Sequence, residues 1–245
     1  MDQSLTASRA ECEGLPCVLV GPLDSEKPVG KIVVLLHGFG ASGTDLVPCA
    51  PELISCDPEA LRDVLFVFPE APRDLTMEGI PGGRAWWPIN MAALMEMFEV
   101  QNFDELAAVV PEPLSDESDR ISQMLDTLAE EHGVNKKDVF VGGFSQGAML
   151  ATDVALRTAE LGGLVVWSGT MIAQERWSGF ERDGGISIVQ SHGKMDPVLP
   201  FSVAETLRDF LVEKGNHVDF HAFDGFHQTD RIGITKSASL IAGRG

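Results

Sequence analysis

Short apolar runs alternate with longer amphipathic stretches along most of the chain, as in proteins built from βα units. The apolar runs show little polar alternation, which is typical of strands covered on both faces of a sheet. The predicted strands are 31–36, 64–68, 138–144, 163–167, 186–191 and 217–223. Apolar residues three and four positions apart predict helices over 116–131, 146–159, 201–214 and 228–241. The pattern therefore predicts an α/β fold with a mostly parallel central sheet flanked by helices.

One stretch, 75–113, does not follow this alternation. It contains the Gly- and Pro-rich GIPGGRAWWPIN and then a Met- and Phe-rich sequence. Connections of this length in a compact domain are usually functional or disordered, and the two tryptophans argue against disorder. We expect one domain over 1–245, in which 75–113 is a cap-like insertion after an early strand.

Composition narrows the class of protein. The chain has 37 acidic and 18 basic residues and a net charge of -19, which disfavours nucleic acid and anionic lipid as partners. Its N-terminus lacks the pattern of a secretory signal, and no apolar run has the length of a membrane helix. The sequence thus predicts a cytoplasmic protein with reduced cysteines and no stable membrane insertion, and it leaves a homodimer open.

The clearest chemical motif is Gly143-Phe144-Ser145-Gln146-Gly147, between a predicted strand and a predicted helix. A serine at such a turn is held in a strained backbone conformation, and glycines beside it let the strand and helix approach each other. A surface Gly-Ser turn is the alternative, but it would not require the strand–turn–helix context. The motif predicts that Ser145 is a nucleophile.

A serine hydroxyl needs a base to attack, and the base needs an orienting carboxylate. In this type of fold the acid and then the histidine follow the serine along the chain. Asp196 follows the strand 186–191 and is the predicted acid, although an Asp-Pro turn residue would look the same. His227 follows the strand 217–223 and is the predicted base.

The other histidines fit the role of base less well. His37 and His132 precede Ser145, and His192 shares a loop with Asp196, where we expect it to brace the turn. His217 and His221 belong to a strand pattern, in which core or surface positions are usual.

An oxyanion hole requires two backbone N–H donors. The amide of Gln146, directly after the nucleophile, is one. The loop HGFGASG after the strand 31–36 places Phe39 as the other. A Gly-rich loop can also bind phosphate, but this one lacks the ending of a P-loop and the spacing of a dinucleotide site. No metal site and no cofactor are expected, since no His or carboxylate cluster has ligand spacing.

The segments LLHGFGASGTD, GGFSQGAML, SHGKMDPVLP and FHQ, in this order, resemble the phospholipase/carboxylesterase family of α/β-hydrolases, which includes acyl-protein thioesterases and bacterial carboxylesterases. The resemblance implies an α/β-hydrolase fold and hydrolysis of carboxylic esters, thioesters or lysophospholipids. It implies the same triad, Ser145, Asp196 and His227, and the same oxyanion donors. Family members commonly have glycine where Ala148 and Phe226 stand.

The apolar insertion predicts how a small-molecule ester is bound. Trp86, Trp87, Met91 and Met95 are the candidate substrate-binding residues, because adaptable apolar side chains suit an acyl chain. The alternative is that they only pack the segment onto the body. The other functional hypothesis, a non-catalytic binding protein of the same fold, predicts a lost triad member or oxyanion glycine, and none is lost.

Overall fold

The computed structural model describes residues 6–22, 28–90, 92, 96, 103–181 and 184–244. In the described chain, ten strands run in the order β1 (Thr6–Cys12), β2 (Leu15–Gly21), β3 (Lys31–Leu36), β4 (Val64–Pro69), β5 (Arg73–Asp74), β6 (Arg84–Ala85), β7 (Val139–Phe144), β8 (Gly163–Trp167), β9 (Ser187–Gly193) and β10 (His217–Phe223). The described helices are α1 (Cys49–Cys56), α2 (Phe103–Ala108), α3 (Leu114–His132), α4 (Gln146–Arg157), α5 (Gln174–Ser178), α6 (Phe201–Glu213) and α7 (Arg231–Ile241). The described chain also contains two short 3-10 helices, Thr76–Glu78 and Lys136–Asp138.

Eight of the described strands form one sheet in the order β1-β2-β4-β3-β7-β8-β9-β10. Only the β1–β2 and β2–β4 pairs are antiparallel, and every pair from β4 to β10 is parallel. The carboxyl ends of β7, β9 and β10 therefore lie along one edge of the sheet, where ligands bind in open α/β folds. Strands β5 and β6 form a separate two-stranded ribbon.

Both faces of the sheet are covered by helices, as the apolar runs predict. Along β3, Ile32, Val34 and Leu36 pack into one buried cluster, whereas Val33 and Leu35 pack into another. The first cluster contains apolar residues of α3, α4 and α6, and the second contains residues of α1 and α7. The sheet is thus the middle layer of three.

All six predicted strands and four predicted helices are present, with small shifts at their ends. The largest shift is at the last helix, which begins at Arg231 and not at 228. Asp230 explains the later start, because its side chain accepts the backbone N–H of Gly233 at 2.8 Å as an N-cap.

Sequence analysis did not predict the strands β1, β2, β5 and β6 or the helices α1, α2 and α5. Most residues of β1 are exposed, so this edge strand lacks an apolar pattern. Helix α1 is short, contains Pro51 and buries only Ala50 and Leu53, which is too little to give a periodic signal.

Candidate active site

Ser145 lies at the turn between β7 and α4, in a backbone conformation that is rare for a residue with a side chain. Its φ is 53° and its ψ is −118°, and its N–H donates to the carbonyl of Trp167 at 2.8 Å. Non-glycine residues at such dihedral angles are strained and persist only where the surroundings hold them. The turn between β7 and α4 therefore presents the serine side chain at the carboxyl edge of the sheet.

The two glycines of the motif allow a very close approach of the chain. A Cβ at Gly143 would lie 2.5 Å from the carbonyl oxygen of Leu36. A Cβ at Gly147 would collide with the same carbonyl and lie 2.6 Å from that of His37. These neighbours are main-chain atoms and cannot move aside, so any larger residue would push α4 away from β3.

The structure brings Ser145, His227 and Asp196 together, each after a different strand of the carboxyl edge. His227 Nε2 lies 2.9 Å from Ser145 Oγ, and His227 Nδ1 lies 2.7 Å from Asp196 Oδ2. An ionised carboxylate can only accept, so Nδ1 carries the proton of the imidazole and Nε2 is left to accept from the serine hydroxyl. This order of groups can take a proton from the serine and stabilise the imidazolium that results.

Asp196 is held as a carboxylate by several donors. Burial would raise the pKa of its side chain, but hydrogen bonds from His192, His227 and the Leu199 amide outweigh burial, and the pKa is well below its usual range. The backbone N–H groups of Val198 and Leu199 both donate to Oδ1 at 2.8 Å. The loop after β9 thus fixes the carboxylate that faces His227.

His192 is a second imidazole on the same carboxylate. Its Nε2 lies 2.8 Å from the carbonyl of Leu199 and 3.3 Å from Asp196 Oδ2. Because both neighbours are acceptors, Nε2 carries the proton, and Nδ1 is buried with no partner among the described residues. As expected from its loop position, His192 braces the turn that presents Asp196.

The loop after β3 carries the predicted second oxyanion donor, Phe39. In the described chain its N–H has no acceptor, and the N–H of Gln146 has no carbonyl one turn back because Gln146 is the first residue of α4. Gly40, directly after Phe39, has a φ of 80°, which glycine adopts without strain. Phe39, Ser145 and Gln146 all line the same cavity.

His37 anchors the base of this loop and does not contact Ser145. Its Nε2 accepts the N–H of Ala71 at 3.1 Å, and its Nδ1 donates to the carbonyl of Gly38 at 2.8 Å. Burial lowers the pKa of His37, although the hydrogen bond to Gly38 acts in the opposite direction. A neutral His37 fits both contacts, so its role here is structural.

The side chain of Gln146 connects this site to the insertion, and sequence analysis did not predict that connection. Its Oε1 accepts the N–H of Trp86 at 2.9 Å, and its Nε2 donates to the carbonyl of Trp87 at 2.8 Å. Trp86 in turn donates its indole N–H to the carbonyl of His37 at 2.9 Å. The sequence shows only a glutamine directly after the predicted nucleophile, which does not by itself indicate a contact with the insertion.

A cavity of about 460 Å³ opens beside Ser145 and His227. This volume is within the usual range for small-molecule sites. Its lining is mostly apolar and comes from the oxyanion loop, the insertion, α4 and the loops after β8 and β9. The apolar residues are Phe39, Ala41, Trp87, Pro88, Ile89, Leu106, Val109, Pro111, Phe144, Met149, Ile172, Val198 and Leu199.

The structure separates the predicted substrate-binding residues. Trp87 lines the cavity, whereas Trp86 does not and is buried beneath it against His37. Met91 and Met95 lie outside the described residues. Sequence analysis missed Leu106, Val109 and Pro111, from the far end of the same insertion, because isolated aliphatic residues in a loop carry no distinctive signal.

Metal and membrane features are absent from the part of the chain that the structure describes. There, no three His, Cys, Asp or Glu side chains are grouped closely enough to hold a metal ion. The described helices are also too short or too polar to cross a bilayer.

Residues 23–242 match the sequence pattern of the phospholipase/carboxylesterase family. The chain belongs to this family. Among phospholipase/carboxylesterase relatives, it is 32% identical to acyl-protein thioesterase 1 of Eremothecium gossypii over 199 residues, and this alignment covers 78% of each chain. It is 30% identical to a probable carboxylesterase of Oryza sativa subsp. japonica over 211 residues, and this alignment covers 80% of each chain. The crystal structure of esterase PE8 matches with a TM-score of 0.72 and 22% identity over 98% of each chain.

Membership of the phospholipase/carboxylesterase family confirms two of the sequence predictions. The fold is that of the α/β-hydrolases, with a mostly parallel sheet flanked by helices. The protein is a hydrolase of the class that acts on esters or thioesters.

Proposed function

We propose that the protein is a serine carboxylesterase in which Ser145 is the nucleophile, His227 the general base and Asp196 its orienting acid. The observation that carries the proposal is the continuous hydrogen-bonded chain from Asp196 Oδ2 through His227 to Ser145 Oγ, with steps of 2.7 Å and 2.9 Å. A strained serine with a bound imidazole has little structural purpose, because a glycine would adopt the same turn at lower cost.

The reaction proceeds in two halves. His227 Nε2 removes the Ser145 proton while Oγ attacks the carbonyl carbon, and the protonated imidazole then gives that proton to the leaving alcohol or thiol. Water enters, loses its proton to His227 and attacks the acyl-serine, which releases the carboxylic acid and restores the serine hydroxyl. The negative oxygen formed in each half is placed between the amides of Phe39 and Gln146.

The insertion, 75–113, is proposed to be the cap that forms the acyl pocket. Support comes from its described residues: Trp87, Pro88, Ile89, Leu106, Val109 and Pro111 all line the cavity at Ser145. Its first part is fixed to α4 through the Gln146 side chain. Oxygen esters and thioesters with apolar acyl chains fit such a lining, because an apolar chain gains by leaving water for it.

The remaining parts of the proposal concern partners and place. A small-molecule ester is the proposed partner, no cofactor takes part in the proposed reaction, and the cytoplasm is the proposed location. A homodimer stays a prediction.

Labelling with a fluorophosphonate probe tests the proposed function. We expect the probe to modify Ser145, because only an activated serine reacts quickly with it. Tryptic peptide mass spectrometry of the labelled protein identifies the modified residue. A heat-denatured sample is the control for non-specific reaction. Absence of labelling in the folded protein would contradict the hydrolase and favour the non-catalytic binding protein.

The acyl pocket is tested by partly filling it at Val109. Val109 lines the cavity and has 38% of its surface exposed, so Val109→Trp adds bulk there without disturbing a buried core position. We expect the ratio of kcat/KM for p-nitrophenyl octanoate to that for p-nitrophenyl acetate to fall at least about tenfold, since each methylene in such a pocket contributes roughly 1 kcal/mol or more.

Val110→Trp is the matched control, because Val110 is the next residue, is 55% exposed and does not line the cavity. Its chain-length ratio should equal that of the unaltered protein. Equal changes of the ratio in the two variants would show that Val109 is not part of the acyl pocket. Trp87→Ala is a less suitable test of the pocket, because Trp87 is buried and its truncation would cost about 3–5 kcal/mol of stability.

A further inference from the structure

One carboxylate, Asp45, lines the cavity beside Ser145. It follows the oxyanion loop, and its side chain is exposed to water. The lining residues include no lysine or arginine in the described chain. Apart from the imidazole of His227, Asp45 is therefore the one ionisable side chain among the described residues that a bound substrate meets.

Asp45 has no counter-ion among the described residues, and its carboxylate makes no ion pair or hydrogen bond with them. The basic side chains of the neighbouring loops are already paired: Arg84 with Glu70 at 2.9 Å, Arg73 with Glu78 at 2.6 Å and Lys194 with Asp224 at 2.9 Å. No described side chain thus compensates the negative charge at the cavity, in a chain whose net charge is -19.

Aromatic rings in the cavity also favour a cationic group over an anionic one. Phe39, Trp87 and Phe144 line the cavity, and the face of an aromatic ring attracts a cation. A carboxylate and aromatic rings around one space favour ammonium groups and disfavour carboxylates, sulfonates and phosphates.

The position of Asp45 indicates which part of a substrate it contacts. Met149, Ile172 and Leu199 form the buried wall of the cavity, which suits an apolar acyl chain, whereas Asp45 lies at an exposed position. The alcohol or thiol part of the substrate must return to water after the first half of the reaction. An acyl chain on the buried wall would leave this part on the exposed side of the cavity, near Asp45.

We propose that Asp45 is a specificity-determining residue that selects esters and thioesters whose alcohol or thiol part is cationic, and rejects those in which it is anionic. This inference rests on the proposed function of the same cavity. An exposed charge pair in water contributes only a small attraction, so the expected selection is about fivefold in kcat/KM for each unit of substrate charge.

Three butyrate esters of similar size test the inference. Butyrylcholine carries a trimethylammonium group, 3,3-dimethylbutyl butyrate replaces it by an uncharged tert-butyl group, and the butyrate ester of 3-hydroxypropanesulfonate is anionic. We expect kcat/KM to fall in that order at low ionic strength. In Asp45→Asn, the cationic-to-neutral ratio should fall about fivefold and the neutral-to-anionic ratio should fall by a similar factor.

Glu59→Gln is the matched control. It removes one exposed negative charge from the turn between α1 and β4, at the opposite edge of the sheet from Ser145. Both charge ratios should be unchanged in this variant. Using ratios within one variant removes any effect of a substitution that is common to all three esters.

Each outcome has one reading. Unchanged ratios in Asp45→Asn, with all three esters hydrolysed, would overturn the role of Asp45 while the proposed esterase stands. Equal changes in Asp45→Asn and Glu59→Gln would also overturn it, because the net charge and not the cavity would then set the preference. Hydrolysis of none of the esters, together with no fluorophosphonate labelling, would instead contradict the proposed function.

Discussion

Replacing Ser145 by alanine is expected to lower kcat for ester hydrolysis by about 10⁴-fold or more, because the nucleophile of a triad cannot be replaced by its partners. The substitution removes one hydroxyl group and leaves the turn unchanged, since alanine and serine carry the same Cβ at the φ of 53°. Steady-state hydrolysis of p-nitrophenyl butyrate measures the loss, and a thermal unfolding curve checks that the variant is folded.

Ser55→Ala is a suitable control, because Ser55 is an exposed helix residue whose hydroxyl donates to the backbone carbonyl of Glu52 at 2.7 Å. It should retain full activity. If purified Ser145→Ala kept more than a tenth of the activity with an unaltered unfolding curve, Ser145 would not be the nucleophile.

Replacing His227 by alanine should cost nearly as much as replacing Ser145. The imidazole is the one group within hydrogen-bond distance of Ser145 Oγ in the described chain, at 2.9 Å, so without it the hydroxyl has no base. The double variant Ser145→Ala, His227→Ala should be hardly slower than either single one, because residues that act as a unit are strongly non-additive. Comparing kcat of the three variants tests this expectation.

His221→Ala provides the comparison for this second prediction. His221 lies on β10, six residues before His227, and pairs with Asp230 at 2.9 Å. Its loss should reduce activity less than about tenfold. A large loss of activity in His221→Ala beside a small loss in His227→Ala would show that His227 is not the base.

Much of the fold could be predicted because its signals are local. Strands such as β3 and β8 are buried on both faces, so their sequences are nearly continuous apolar runs. The three residues of the proposed triad could also be predicted from the sequence, because each follows a strand that ends at the same edge of the sheet. Chain order then separated His227 from the other histidines.

What could not be predicted depends on contacts between distant parts of the chain. Trp86 and Trp87 are adjacent and chemically identical, yet one is buried against His37 and the other lines the cavity. Composition does not say which way each ring points. The same holds for Asp45, which in the sequence is one acid among 37 acidic residues.

Gln146 shows that one residue can be constrained twice, for unrelated reasons. Its amide is a donor that any residue except proline would supply at this turn, so the proposed chemistry does not require glutamine. The side chain is different: without it, the buried N–H of Trp86 and carbonyl of Trp87 would lose their partners, at a cost of roughly 1–3 kcal/mol each. The residue after the nucleophile is therefore free to vary only together with the insertion, and exchanging that insertion for another would require a new residue at position 146 as well.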